Sequence, residues 1–137
     1  MGDGIVAFFG DPFDYPNHCE QCVQAAIEMQ KKARALAGKW KLLADIDLNV
    51  RIGINTGKVL VGNLGSKTRT EYTVIGPAVN LAQRMESGAP AGGILVSAGV
   101  RDKTKGKFNF SGKKEITVKG YDEPVEAYLV NFPLRDT

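Results

Sequence analysis

At 137 residues, with 43% apolar and 24% charged side chains, the chain has the balance of a single globular domain, which excludes a disordered tail and a second sizeable domain. No apolar run approaches the roughly 18 residues of a membrane span and no basic-then-apolar signal plan opens the chain, so a cytoplasmic domain is expected, free or within a larger membrane-attached protein. The formal charge of +3 draws on Arg101, Lys103, Lys105, Lys107, Lys113, Lys114 and Lys119, without an aromatic ladder or nucleic-acid motif, so a solvated basic face is expected and a nucleic-acid partner is not.

Residues 4 to 9, Gly-Ile-Val-Ala-Phe-Phe, form a short apolar run closed by Gly10-Asp11-Pro12, the pattern of a buried strand ending in a turn. Asp3-Gly4 is a common hairpin turn, yet only Met1 and Gly2 precede it, so the chain is expected to lack the partner strand. Asn17 and Glu20 supply an N-cap with an acidic residue three positions on. Cys19, Cys22, Val23, Ala26, Ile27, Gln30 and Ala33 then recur at helical spacing, which predicts one long helix over 17–37. His18, Cys19 and Cys22 look superficially like a metal or redox motif. Three residues on successive turns cannot close a four-ligand zinc site, and no other Cys or His completes one, so both sulfurs are expected on the buried stripe.

Residues 48–56 and 58–63 alternate apolar with polar around Thr56-Gly57, which predicts an antiparallel hairpin. A polar, glycine-bearing loop over 63–69 leads to a strand at 70–75. Gly76-Pro77 redirects the backbone, and Pro77 suits the first turn of a helix running to about 87. Strands near 93–97, 108–111, 115–118 and 125–131 follow, with a short helix around 98–103.

Asn80 and Arg84 stand four apart on the predicted helix, so they share a face and can converge on one ligand; a solvated amide and guanidinium is the plainer use of that spacing. Their context points further. Glu71-Tyr72-Thr73-Val74-Ile75-Gly76-Pro77-Ala78-Val79-Asn80-Leu81-Ala82-Gln83-Arg84-Met85-Glu86 resembles the signature of class III nucleotidyl cyclase catalytic domains, in which Asn-x-x-x-Arg projects into the active site. Gly2-Asp3-Gly4-Ile5-Val6-Ala7-Phe8-Phe9-Gly10 is similar to the family's hairpin carrying one of two metal-binding aspartates, and Asp3 matches it. Hard Mg²⁺ prefers such carboxylate oxygen, although an Asp between glycines is by itself ordinary turn chemistry. The stretch from Arg51 to Gly65 resembles the hairpin between the two signatures, where the family often has a phosphate-contacting Arg after the turn glycine. Lys58 stands there, keeping the charge without the bidentate fork. Ile116-Thr117-Val118-Lys119-Gly120, followed by Glu123-Pro124-Val125, looks like the final hairpin, whose lysine contacts the terminal phosphates; Lys119 matches it. Thr73, seven before Asn80, occupies the base-choice position, where a subgroup common in bacteria has Thr in place of Asp, which points to ATP over GTP.

The resemblance implies an α+β fold: a mixed sheet on a ferredoxin-like βαββαβ core, with helices mainly over one face. It makes residues 1–137 the C-terminal part of one catalytic domain, without the family's first strand, the two following helices and the second strand. It implies a head-to-tail homodimer in which one subunit supplies Asp3 and Thr73 and the other Asn80 and Arg84. Two Mg²⁺ or Mn²⁺ ions would serve conversion of ATP to 3′,5′-cyclic AMP and pyrophosphate. The chain alone is expected to be inactive, because the second metal aspartate belongs to the absent elements. A guanylate cyclase is one alternative, and a catalytically silent module for dimerisation or regulation is another. Retention of Asp3, Asn80 and Arg84 argues against the silent module. No P-loop or dinucleotide-type Gly-rich phosphate cradle is present.

Overall fold

The computed structural model describes residues 4–10, 16–63, 72–118 and 122–132. The first helix, α1 (His18–Ala44), buries Cys19, Val23, Ala26, Ile27 and Gln30 of the stripe that its spacing predicts, while Cys22 and Ala33 at its margins are half-buried. The Gln30 side chain is fully buried and donates through Nε2 to the carbonyls of Val50 and Gly93, both at 3.0 Å, which ties the helix to two separate loops. Rather than ending near residue 37, α1 runs on through Gly38 to Ala44. Lys39, Lys41, Leu42 and Leu43 are good helix formers, and Asp45 closes the helix with φ of 52° as its amide donates to the Lys41 carbonyl at 3.2 Å. None of residues 31–44 is buried, so this half of α1 stands away from the core.

The main sheet has four strands side by side. They are β1 (Ile52–Ile54), β4 (Ile94–Ser97), β6 (Val125–Asn131) and β5 (Asn109–Ile116), in that order. β1 and β4 are parallel and the other two pairings antiparallel, so the sheet is mixed and the fold α+β, as expected. A separate antiparallel ribbon joins β2 (Leu60–Asn63) to β3 (Tyr72–Ile75). The remaining helices are α2 (Pro77–Gly88), between β3 and β4, and α3 (Ala98–Lys103), after β4.

Alternation along each strand divides the apolar residues between two faces. Ile54, Ile94, Val96 and Val130 pack with Val23, Ala26 and Ile27 of α1 and Val100 of α3. Leu95, Ala127, Ile116 and Val118 pack with Leu81 and Met85 of α2. Two of the three described helices therefore share one face, and α2 covers the other.

Three local expectations need correction. Residues 4–8 form no strand, and Ile5 is 88% exposed, because no strand among the described residues pairs with them. The hairpin expected from 48–56 and 58–63 is not made: β1 pairs with β4 and β2 with β3, so the two stretches belong to different sheets. The linker between them turns instead onto the first turn of α2, where Asn55 Nδ2 donates to the Ala78 carbonyl at 3.0 Å. The strands expected at 108–111 and 115–118 are a single eight-residue strand, β5. Its register on β6 slips by one residue between Ser111 and Lys114, and Gly112 takes φ of 64°. This bulge inverts the side-chain alternation, which lets Phe110 face the α1 cluster while Ile116 faces the α2 cluster.

Candidate functional site

The first turn of α2 follows β3 directly, with Gly76 at φ of 152° as its N-cap and Pro77 at N1. No side chain caps this end; the Gly76 carbonyl accepts from the Val79 amide at 3.0 Å and, in the first ordinary helical bond, from the Asn80 amide at 3.4 Å. Leu81 and Met85 are buried against the sheet, while Asn80 and Arg84 are exposed. At about 100° per residue, Ala78 and Ala82 lie roughly opposite Asn80 and Arg84 around the helix. That opposite side rests on β1, so the polar pair faces outward from a helix fixed from behind.

The fit behind α2 is close. A Cβ on Gly53 would fall onto the Glu86 amide nitrogen and the Ala82 carbonyl oxygen, so strand backbone lies directly on helix backbone. A Cβ on Gly57 would come within 2.9 Å of Ala78 Cβ. Between these glycines stands Asn55, whose amide makes the bond to Ala78. Sequence reasoning passed over Asn55. The available signal was Gly-x-Asn-x-Gly within and just after a predicted strand, two glycines that leave room for a close neighbour on either side of a hydrogen-bonding amide.

Lys58 is exposed in the linker between β1 and β2. Its carbonyl oxygen would lie 3.4 Å from a Cβ on Gly76, so its backbone adjoins the start of α2. Thr73 lies in β3 opposite Gly62 of β2, three residues before Gly76. The structure thus brings Thr73, Lys58, Asn80 and Arg84 to the β3–α2 junction and the linker beside it. Asp3 and Lys119 lie outside the described residues. Among the described residues, no group of three or more His, Cys, Asp or Glu side chains stands together for a metal. The metal expectation therefore rests on the resemblance at Asp3.

His18, Cys19 and Cys22 form no such group. Cys19 is buried and Cys22 half-buried on α1, and burial, with Cys19 adding a smaller effect, pushes the Cys22 thiol up to about 11. A cavity of about 140 Å³ between Phe8, Cys22, Ile54, Ala78, Ala82 and Val100 lies behind α2 and includes none of the expected site residues. In the basic region, Lys103, Lys105 and Lys107 are exposed, Lys113 pairs with Glu126 at 2.8 Å, and Lys114 donates to the Gly88 carbonyl at 2.8 Å.

The family model for the adenylate and guanylate cyclase catalytic domain matches residues 1–132. The chain belongs to this family. It is 34% identical over 137 residues to the adenylate cyclase of Anabaena cylindrica, in an alignment covering 95% of this chain and 27% of that protein. The crystal structure of the guanylyl cyclase Cya2 superposes with a TM-score of 0.87 at 36% identity, covering 95% of this chain and 66% of that one. That of the adenylyl cyclase CyaB from P. aeruginosa gives a TM-score of 0.83 at 39% identity, covering 94% and 67%. The chain spans between 20% and 28% of the length of the curated relatives it matches at 28% to 34% identity. No helix among the described residues is long and apolar enough to cross a membrane.

Proposed function

We propose that the chain is the C-terminal part of an adenylate cyclase catalytic domain, converting ATP to 3′,5′-cyclic AMP and pyrophosphate in a cytoplasmic homodimer. The observation that carries this reading is the exposed Asn80–Arg84 face of α2 within a family match over residues 1–132. In the reaction the ribose 3′-hydroxyl loses its proton and attacks the α-phosphorus, and the bond to the pyrophosphate oxygen breaks. Asn80 orients the ribose through its side-chain amide. Arg84 offers its guanidinium fork to the charge that builds on the α-phosphoryl oxygens. Lys58 and Lys119 hold the triphosphate, and Thr73 contacts the base through a hydroxyl that can donate or accept. Asp3 is the residue that would hold a divalent cation, Mg²⁺ or Mn²⁺, whose chemistry when bound is to lower the pKa of the 3′-hydroxyl and offset triphosphate charge.

Self-association is supported by the ribbon next to α2. Leu60 and Ile75 stand opposite each other across β2 and β3 and are 76% and 54% exposed. An exposed apolar pair beside an exposed polar site suits burial by a second copy whose own residues complete that site.

Adenylyl and guanylyl cyclases stand side by side among the structural neighbours, so base choice rests on Thr73. GTP is the second reading, favoured by the superposition on Cya2. The test is product formation by the purified intact protein from ATP and from GTP at equal concentration with Mg²⁺ or Mn²⁺. Cyclic AMP in excess is expected, and Thr73 substitutions should change purine preference more than metal dependence. Equal use of the two nucleotides would defeat the ATP assignment. The 137-residue chain assayed by itself is expected to form no cyclic nucleotide, because Asp3 is the one metal carboxylate that the resemblance assigns to it. Turnover equal to that of an upstream-extended form would overturn that expectation.

A further inference from the structure

The exposed face of α2 is only as well placed as the helix that carries it, and the start of this helix has little of its own to hold it. Its N-cap is a glycine with no side chain to offer, and one carbonyl, that of Gly76, is shared between the Val79 amide at 3.0 Å and the Asn80 amide at a long 3.4 Å. The support comes from outside the helix. Asn55, half-buried just past β1, donates through Nδ2 to the Ala78 carbonyl at 3.0 Å, two residues before Asn80. Gly53 and Gly57, two residues to either side, let the backbone of the same segment approach Ala82, Glu86 and Ala78 without an intervening side chain. Among these three contacts only that of Asn55 is directional, so it sets the rotation and height of the first turn, while the glycines set only distance.

We propose that Asn55 is a positioning residue for the cyclase reaction, holding the first turn of α2 so that Asn80 meets the nucleotide ribose in register. This rests on the reading of Asn80 and Arg84 as the catalytic face. Asn55 touches no substrate and acts through the Ala78 carbonyl. Its removal lets the first turn shift, which misaligns Asn80 while leaving groups elsewhere in the site able to bind nucleotide.

The test uses the intact protein and two variants. Asn55→Asp keeps the shape but replaces the donor by a second acceptor facing the Ala78 carbonyl, and Asn55→Ala removes the group altogether. Both should lower kcat by about 10- to 100-fold, the scale on which small misplacements reduce rates. KM for ATP should stay within about threefold, since binding through the triphosphate and base is retained. A double-mutant cycle with Asn80→Ala separates positioning from general support: once Asn80 is gone, removing Asn55 should have little further effect on kcat. An unchanged kcat in Asn55→Asp and Asn55→Ala, fold-losses that multiply independently in the cycle, or failure of both variants to fold would each overturn the proposal. Should Asn80→Ala itself retain full turnover, the catalytic reading of α2 falls first. Impaired Asn80→Ala beside unimpaired Asn55 variants removes the positioning role alone.

Discussion

Arg84, proposed as the donor at the developing charge, carries nothing in its own packing that marks it out. It is exposed, and the buried residues of its helix are Leu81 and Met85, so its loss leaves that core in place. Arg84→Ala in the intact protein is expected to lower turnover by about 10² to 10³, the effect of removing one preorganised donor at a developing charge. Melting temperature should be nearly unchanged, and a folded variant with full turnover would take Arg84 out of the reaction. Cys22 presents the reverse case, a residue with a suggestive sequence context and a muted chemistry. Its thiol is pushed up to about 11 from the ordinary value of 9.0 by burial first and Cys19 second. The thiolate fraction at pH 8 therefore falls, and iodoacetamide should label Cys22 in the folded protein about 100-fold more slowly than in urea. The sign for stability follows: between pH 9 and 11 the unfolded thiol ionises while the folded one does not, so this group weakens the fold as pH rises through that window. Mass-spectrometric labelling rates measure the first effect, and equal rates in folded and unfolded protein would contradict the burial of Cys22.

At the scale of elements, α2 was legible because its signals are local. Pro77 marks the first turn, and the buried pair Leu81 and Met85 and the exposed pair Asn80 and Arg84 each repeat at four residues. β5 was misread for an equally local reason. Ser111-Gly112 looks like a break between two strands, but β6 runs alongside as a continuous template and absorbs the extra residue as a bulge. The contact between β1 and α2 lies between these extremes. Gly53 in a strand signals close backbone approach, but only the structure identifies Ala82, Met85 and Glu86 as what approaches. Gly53→Ala would drive its methyl into that helix backbone, which cannot rotate aside as a side chain would. The expected loss is about 2 to 3 kcal/mol of stability, at the upper end for overpacking, measured by urea denaturation. A neutral result would show that α2 can lift from β1.

For the whole molecule, the two-sided sheet leaves one apolar ribbon outside either cluster. Leu60 and Ile75 belong to neither core and face outward together beside α2. Leu60→Glu should therefore weaken self-association of the intact protein by at least about tenfold, since burying an unpaired charge at an apolar contact costs on the order of 1.4 kcal/mol or more. Sedimentation velocity across a concentration series reads the effect, and turnover should fall with the dimer. Loss of turnover at unchanged association would place Leu60 elsewhere in the mechanism.

The sequence by itself determined the features whose causes lie within a few residues: the stripe of α1, the start of α2, the shared face of Asn80 and Arg84, and motifs ordered closely enough to mark the family. Tertiary structure alone decided the strand partners. Ile52 pairs with Ile94 and Leu95 with Leu129, across gaps of dozens of residues, and no local pattern specifies which free backbone edge another strand will meet. It also decided that Asn55 bonds α2 and that Gly53 must remain bare, because each requirement exists only once β1 and α2 are pressed together. Periodicity assigns a side chain to a face of its own element; what covers that face is settled by packing between distant parts of the chain.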